Sequence, residues 1–327
     1  MTLAFAAVFL ALTRVGVIGA DTYHSVAFTQ YLNGPKADPA FADFRVTAVY
    51  KGGSADIESS ISRLKSNVSQ IEKLGVEFVD TVDDLLAKCD AVLLETNDGR
   101  RHLEQAEKVF RAGKRVFIDK PLAHDLRDSV AIVDLARKYG ATFFTSSAIR
   151  FVKAIRFVKE KQLKVRGMDC WTCFNYEKSH DRWYWYGVHA VDPLFAVLGP
   201  GCEEVVSLSG ADGEVAIGRW NDGRFGIARG LSTAKGGAPY GGVIFTENGT
   251  VGPNGEKLVD GQVDMGTYEG YGEELKLVLD YFRTGVVPVP PEESLEVMAY
   301  MTAARQSAER GGIAVRIADV LGEVRGK

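Results

Sequence analysis

From Arg14 onward, short runs of β-branched and aliphatic residues alternate with amphipathic stretches of helical period. A chain with that alternation must bury each run in a shared sheet and cover it with the stretches between, which is the pattern of a parallel sheet flanked by helices. The runs are residues 14–18, 45–50, 91–95, 115–119 and 142–145, and the helical stretches include 82–88, 101–112 and 126–139. The last two stop at Gly113 and Gly140, residues free to adopt the left-handed conformation that ends a helix. The pattern predicts a doubly wound α/β domain over residues 13–148.

After Ser147 the periodicity changes. One helix over 153–161 is followed by strand-like runs at 168–174, 204–209, 215–219, 225–231 and 242–246. Turns such as Ala211-Asp212-Gly213 and Asn221-Asp222-Gly223 separate them, so these strands are predicted to pair antiparallel. Two closing helices follow over 271–283 and 294–309, split by Pro288, Pro290 and Pro291. A chain of 327 residues suits two cores, and the second is placed over 149–327.

A net charge of -4 leaves no basic surface for nucleic acid, so a small-molecule partner is expected. Four cysteines, Cys89, Cys170, Cys173 and Cys202, make no disulfide framework and suit a reducing, cytoplasmic setting. Residues 1–12 are apolar but lack a basic leader and run straight into the first strand, so they read as an N-terminal extension. They fall short of the ~20 residues a membrane span needs, and no membrane partner is expected.

Val15-Gly16-Val17-Ile18-Gly19-Ala20-Asp21-Thr22 is a strand running into a glycine turn and then a helix. That geometry aims backbone N–H groups and a helix dipole at a pyrophosphate, making Gly16, Gly19, Ala20, Asp21 and Thr22 candidate contacts of a dinucleotide. In the G-x-G-x-x-G pattern, however, Asp21 stands where the second glycine belongs and His24 where the third belongs. Asp21 brings a Cβ and a carboxylate toward the phosphates, and a purely structural turn is the alternative. The second strand ends in Lys51-Gly52-Gly53-Ser54 where an acidic residue would bind ribose hydroxyls. Lys51 suits a 2′-phosphate, which favours NADP over NAD; a solvated lysine is the alternative.

The stretch Asp90-Ala91-Val92-Leu93-Leu94-Glu95-Thr96-Asn97, followed by His102 and then by Val116-Phe117-Ile118-Asp119-Lys120-Pro121-Leu122, is more specific. It resembles the Gfo/Idh/MocA family of glucose-fructose oxidoreductase and inositol dehydrogenase, whose Glu-Lys-Pro-Leu hallmark reads Asp-Lys-Pro-Leu here. Gly187-Val188-His189-Ala190-Val191-Asp192 resembles the family's histidine segment, and Ser307-Ala308-Glu309-Arg310-Gly311 its closing helix. The resemblance implies a Rossmann domain followed by an α/β domain with an open, mostly antiparallel sheet. It also implies an NAD(P)-dependent dehydrogenase or reductase acting on a sugar, cyclitol or related polyol. Relatives pair through the exposed sheet face, so a homodimer or homotetramer is expected, and an uncovered apolar face would itself favour association.

Hydride transfer needs a group to take the hydroxyl proton and a positive charge or donor beside the developing oxyanion. Lys120 and His189 are the catalytic candidates. Lys120 stands at the C-terminal end of a parallel strand, the edge where ligands bind in this architecture, and the resemblance takes it to the nicotinamide ribose and the substrate hydroxyl. Thr96, Asn97, His102 and Asp119 are implied neighbours of the cofactor, with capping and loop satisfaction the alternative for Asn97 and His102. His189 lies in an apolar stretch, 186–198, predicted as a helix. Many relatives carry an aspartate four residues before this histidine, where Trp185 stands, leaving Asp192 as the candidate to orient the imidazole.

The run Trp183-Tyr184-Trp185-Tyr186 offers rings with polar tips, which stack on a pyranose and bind its hydroxyls. Tyr184, Trp185 and Tyr186 join Lys120, Arg150, His189 and Asp192 as substrate candidates; a core or subunit-interface cluster explains the aromatic run as well. Ser147 and Arg150 either face the cleft or seal the hinge. Cys170 and Cys173 have a metal-site spacing, but in a strand they face opposite sides and no second pair exists, so no metal is expected. Two rivals stand beside the dehydrogenase. One is a glycoside hydrolase or lyase that oxidises a sugar carbon transiently; the other is a non-catalytic dinucleotide-binding sensor.

Overall fold

The computed structural model describes residues 12–35, 37–232 and 240–326, so the apolar extension lies, except for Leu12, outside the described residues. The first half runs β1 (Thr13–Ile18), α1 (Tyr23–Asn33), β2 (Phe44–Tyr50), α2 (Glu58–Glu72), β3 (Glu77–Val79), α3 (Val82–Lys88), β4 (Ala91–Leu94), α4 (His102–Arg111), β5 (Arg115–Asp119), α5 (Leu126–Tyr139) and β6 (Phe143–Ser146). The six strands are parallel in the order β3-β2-β1-β4-β5-β6. Val15, Val17 and Ile18 of β1 and all of β4 are buried because helices cover both faces, and such strands read as continuous apolar runs.

The order reverses at β1, whose neighbours β2 and β4 send their connections to opposite sides, and a ligand crevice opens at the C-terminal ends of the strands. Capping fixes the helix starts there. Thr22 accepts from the Ser25 N–H at α1, and Asp125 accepts from the Asp128 N–H at α5, which ends at Gly140 with φ +61°.

Two elements of this half were not predicted. Strand β3 is three residues long, and α2 buries only Ser60, Asn67 and Ile71, so neither shows an apolar period.

The second half contains α6 (Lys153–Glu160), β7 (Val165–Cys173), α7 (Val188–Leu198), β8 (Cys202–Gly210), β9 (Gly213–Trp220), β10 (Phe225–Leu231), β11 (Gly241–Thr246), β12 (Gln262–Asp264), α8 (Gly272–Thr284), α9 (Pro291–Glu309), β13 (Val315–Arg316) and α10 (Ile317–Arg325). Its seven-stranded sheet has the order β12-β11-β7-β10-β9-β8-β13 and is antiparallel except between β7 and β10. One face packs Met168, Cys170, Ala216, Trp220 and Ala228 with α7 and α9 residues such as Phe195 and Tyr300. The other face is open. Val206 pairs with Ile217 and Leu208 with Val215, while Leu208, Ile217 and Phe225 are exposed. Cys170 and Cys173 are buried free thiols.

Helix α8 returns to the first sheet. Its Leu275, Val278, Leu279, Tyr281 and Phe282 share a core with Val15, Phe28, Phe117 and Phe144. The Tyr281 hydroxyl donates to the Thr142 carbonyl at 2.6 Å, and Arg283 pairs with Asp43 at 2.8 Å. Helix α10 adds a third closing helix beyond the two predicted. Helix α7 starts at Val188 rather than at Tyr186, because Trp183–Gly187 forms a wide turn with π-type hydrogen bonding.

Candidate active site

A cavity of about 860 Å³ lies over the C-terminal ends of β1, β4 and β5. The first turns of α1 and α2 bound it on one side, and the 183–187 turn, the start of α7 and Tyr240, Tyr268 and Tyr271 bound it on the other.

The glycine loop forms the wall at α1, but most of it lies beneath the surface. Asp21 is fully buried and faces inward, where one carboxylate oxygen accepts from Ser60 Oγ at 2.7 Å and the other from the Asn97 N–H at 3.2 Å. Burial pushes its pKa up, and its charge is directed away from the cleft. Asn67 of α2 donates to the carbonyls of Ala20 and Thr22, both at 2.8 Å, so α2 clamps the loop. Gly19, at φ +97°, is required by its neighbour: a Cβ there would lie 2.6 Å from the Thr96 backbone. A Cβ at Gly16 would strike Leu85 and Cys89 in the core. Of the five loop candidates only Thr22 lines the cleft; Gly16, Gly19, Ala20 and Asp21 are buried scaffold.

Lys51 is also displaced from the role expected of it. Its side chain is exposed outside the cleft, and the crevice between the loops after β2 and β4 is bridged by Ser54 Oγ to Asp98 at 2.6 Å and Asn97 Nδ2 to Ser59 Oγ at 3.0 Å. The basic side chain on this wall is Arg63, with Ser59 and Ser62, all on the unpredicted α2. Asn97 lines the cleft, whereas Thr96 is buried with its hydroxyl 3.4 Å from the Ile18 carbonyl. His102 is buried scaffold too. Its Nε2 lies 2.8 Å from the Thr96 carbonyl and its Nδ1 lies 3.1 Å from the carbonyls of Pro121 and Leu122, and burial lowers its pKa.

These residues fit a dinucleotide at one place. The first-turn N–H groups of α1 have no partner within the helix, and Tyr23 and His24, which carry them, line the cleft. With Asp21 turned inward, no carboxylate of the loop opposes a phosphate there. Tyr23, His24 and Asn97 would hold the pyrophosphate, with Lys120 and Pro121 beyond them.

Lys120 follows β5, lines the cleft, and precedes Pro121 through a cis peptide. Its backbone N–H donates to Asp119 at 2.8 Å and its Nζ lies 3.4 Å from the other Asp119 oxygen. Burial works against the Asp119 charge, but His24, with Nδ1 at 2.9 Å, and Lys120 hold its pKa below the usual range. Asp119 itself is buried beneath the cavity floor beside Glu95. Facing Lys120 is His189, whose Nδ1 lies 2.7 Å from Ser147 Oγ and whose ring packs on Tyr186 and Tyr240 at 5.7 and 5.2 Å between centroids. Burial, reinforced by the charges of Lys120 and His24, pushes the imidazole pKa well down, so His189 is neutral near pH 7.

Three substrate candidates lie elsewhere. Asp192 does not touch His189; it accepts from Arg150 at 2.8 Å and from the Ser147 N–H at 2.9 Å. Arg150 pairs with Asp192 and Glu293 in a buried network behind the cleft, so it seals the hinge. Tyr184 points into the core, where its hydroxyl meets Thr302. The wide turn separates the aromatic run: Trp183 and Tyr184 go inward, while Trp185 and Tyr186 face the cavity. Trp185 packs against the tilted ring of His180 at 4.8 Å between centroids, so its place is held from behind. Sequence reading did not find Glu95, Arg63, Tyr240, Tyr268 or Tyr271; Glu95, a carboxylate closing a wholly apolar strand, carried the one local signal.

A doubly wound parallel sheet followed by an open mixed sheet, with a lysine and a histidine lining the cleft between them, is the fold of a Rossmann domain joined to an α/β domain. Residues 13–147 match the model described as "Oxidoreductase family, NAD-binding Rossmann fold". The match covers the N-terminal domain, which is thus similar to the Gfo/Idh/MocA oxidoreductases over 13–147.

A provisionally named oxidoreductase of Salmonella typhimurium, YceM, is 31% identical over 90 residues, which is 28% of this chain and 29% of that one. The match thus spans under a third of the curated relative's length. Scyllo-inositol dehydrogenase from Lactobacillus casei, solved with NAD(H) and scyllo-inositol, superposes with a TM-score of 0.70 at 15% identity, over 94% of this chain and 99% of its own. UDP-N-acetylglucosamine 3-dehydrogenase from Acidithiobacillus ferrooxidans gives 0.71 at 19% identity, over 91% and 98%. At these identities the superpositions establish a shared fold. No helix among the described residues is long and apolar enough to cross a membrane.

Proposed function

We propose that the protein is an NAD(P)-dependent oxidoreductase that transfers hydride between the nicotinamide and a CH–OH carbon of a sugar, cyclitol or related polyol. The observation that carries this reading is the meeting of Lys120 and a neutral His189 in one cleft, between the open N-terminus of α1 and an aromatic wall. When bound, the dinucleotide supplies the hydride acceptor or donor. In the oxidising direction, His189 Nε2 takes the substrate hydroxyl proton, while Nδ1–H donates to Ser147 Oγ and fixes the tautomer. The Lys120 ammonium donates to the same oxygen and stabilises the alkoxide as it forms. Trp185, Tyr186 and Tyr240 offer faces to the C–H side of a sugar ring, and the phenol hydroxyls bind its polar rim.

The NADP preference rests on Arg63 in place of Lys51, because Arg63 lines the nucleotide side of the cleft and would pair with a 2′-phosphate. A second copy of the chain covers the open face of the mixed sheet in a homodimer or homotetramer, supported by exposed Leu208, Ile217 and Phe225. Four free cysteines support the cytoplasmic setting.

The test follows reduced-cofactor absorbance while sugars, cyclitols and glycosides are offered with NAD and with NADP. A polyol-dependent signal is expected, and Lys120→Ala and His189→Ala should each lower turnover by roughly 10²- to 10⁴-fold with circular dichroism unchanged. Near-normal turnover in both variants would overturn the assignment. Consumption of a glycoside with no net change in absorbance would instead favour transient oxidation.

A further inference from the structure

The nicotinamide reading leaves one buried group unexplained. Glu95 closes β4 at 0% exposure, and neither of its carboxylate oxygens has a hydrogen-bond partner. An unpartnered carboxylate out of water is costly unless a charge or a proton meets it. Its Oε2 lies 3.7 Å from His24 Nδ1, which lies 2.9 Å from Asp119 Oδ1, and one donor atom from each residue falls within 4.8 Å of the others. His24 is the residue standing where the third glycine of the dinucleotide pattern belongs. Its ring packs on Tyr271 at 4.4 Å between centroids and is directed from the first turn of α1 onto the ends of β4 and β5.

We propose that His24, Glu95 and Asp119 form a site for a divalent first-row transition-metal ion on the floor of the cleft. Bonds of about 2.0–2.2 Å place adjacent donors roughly 2.8–3.6 Å apart in octahedral or tetrahedral geometry; one observed separation, 2.9 Å, lies in that range and the other, 3.7 Å, just above it. One imidazole with two carboxylates suits manganese, iron, cobalt or zinc better than calcium, and the absence of thiolate disfavours copper(I). Charge supports the same ion. Glu95 and Asp119 are both wholly buried carboxyls with Glu274 close by, and a bound cation would offset the repulsion among them. Three protein donors leave coordination positions free, and His24, the donor that lines the cleft, shares it with Lys120 and His189. An oxygen-rich ligand would find an electrophile there in addition to the lysine.

Metal uptake is measured on the full chain without dinucleotide or substrate, so it stands or falls independently of the redox assignment. Protein stripped with a chelator is titrated calorimetrically with Zn²⁺, Mn²⁺ and Co²⁺, bound metal is counted by elemental analysis, and the visible absorption of the Co²⁺ form is recorded. About one ion per chain is expected, with cobalt bands reporting a nitrogen-oxygen donor set. His24→Ala and the near-isosteric Glu95→Gln should weaken binding by at least roughly tenfold, a loss that even outer partners of a metal produce. Circular dichroism establishes that both variants are folded, and Glu95→Gln carries the test if His24→Ala is not. Wild type that takes up no ion above background, or a folded Glu95→Gln that binds as tightly as wild type, would overturn the site.

Discussion

The Ser147 hydroxyl lies 2.7 Å from His189 Nδ1, where the sequence pattern predicts a carboxylate. Trp185, four residues before the histidine, faces the cavity, while the carboxylate of Asp192 acts at one remove, holding the Ser147 N–H and the Arg150 guanidinium. A neutral hydroxyl stabilises an imidazolium less than a carboxylate does, so His189 stays a weak base that is unprotonated at neutral pH. Its folded pKa lies below the ordinary histidine value, so the activity that depends on neutral His189 is present at neutral pH. That activity is lost only as pH falls through the lowered value. Ser147→Ala should cost about 1–2 kcal/mol of transition-state stabilisation, or roughly five- to thirty-fold in kcat/KM, and should move the acid limb further down. Ser147→Thr should restore both. A pH profile of kcat/KM on the three proteins checks this, and an unmoved acid limb in Ser147→Ala would assign the serine a structural role alone.

At the scale of elements, α2 and α8 decide what the site becomes. Helix α2 supplies Ser60 and Asn67 to bury the glycine loop and Arg63 to end the cleft, so a loop departing from the glycine pattern at two positions keeps a usable helix N-terminus. Helix α2 follows β2 in chain order, whereas α8 does not. Helix α8 comes from more than a hundred residues beyond the sheet it covers, and its apolar stripe fills the core between β1, β5, β6 and α1. Leu279 is fully buried there, and Leu279→Ala should destabilise the protein by about 2–5 kcal/mol. Denaturant unfolding followed by far-UV circular dichroism measures it, and the loss should appear in the transition of the parallel sheet. A change below about 1 kcal/mol would show that α8 is docked only loosely.

At the scale of the molecule, the open face of the mixed sheet sets the expected assembly. Val206, Leu208, Val215, Ile217, Phe225 and Ile227 lie on adjacent strands and are exposed or half-buried. A face of this kind is rarely left in water. Sedimentation of the wild type should give a dimer or tetramer, and Ile217→Arg or Phe225→Arg should shift it toward monomer, since a guanidinium buried at an apolar interface lacks a partner. A wild type that is monomeric at micromolar concentration would remove the interface.

The sequence by itself determined the layers and the strand end that carries Lys120. Strands β1, β2, β4, β5 and β6 are readable because a strand covered on both faces is apolar throughout, and Lys120 is readable because chain order places it at a strand end. His189 could be located on its helix for the same reason, since 3.6-residue periodicity is a local property. The tertiary structure decided which side chains meet. Asp21, His102, Arg150 and Asp192 carry polar groups that local reading directs at a ligand, and each is satisfied instead by a residue distant in sequence. The turn at 183–187 changed the phase of the aromatic run and sent Tyr184 to the core. Glu95 and His24 are 71 positions apart in sequence, and they face each other only because β4 lies beside β1; parallel pairing, a non-local interaction, brings their carboxylate and imidazole into one buried volume.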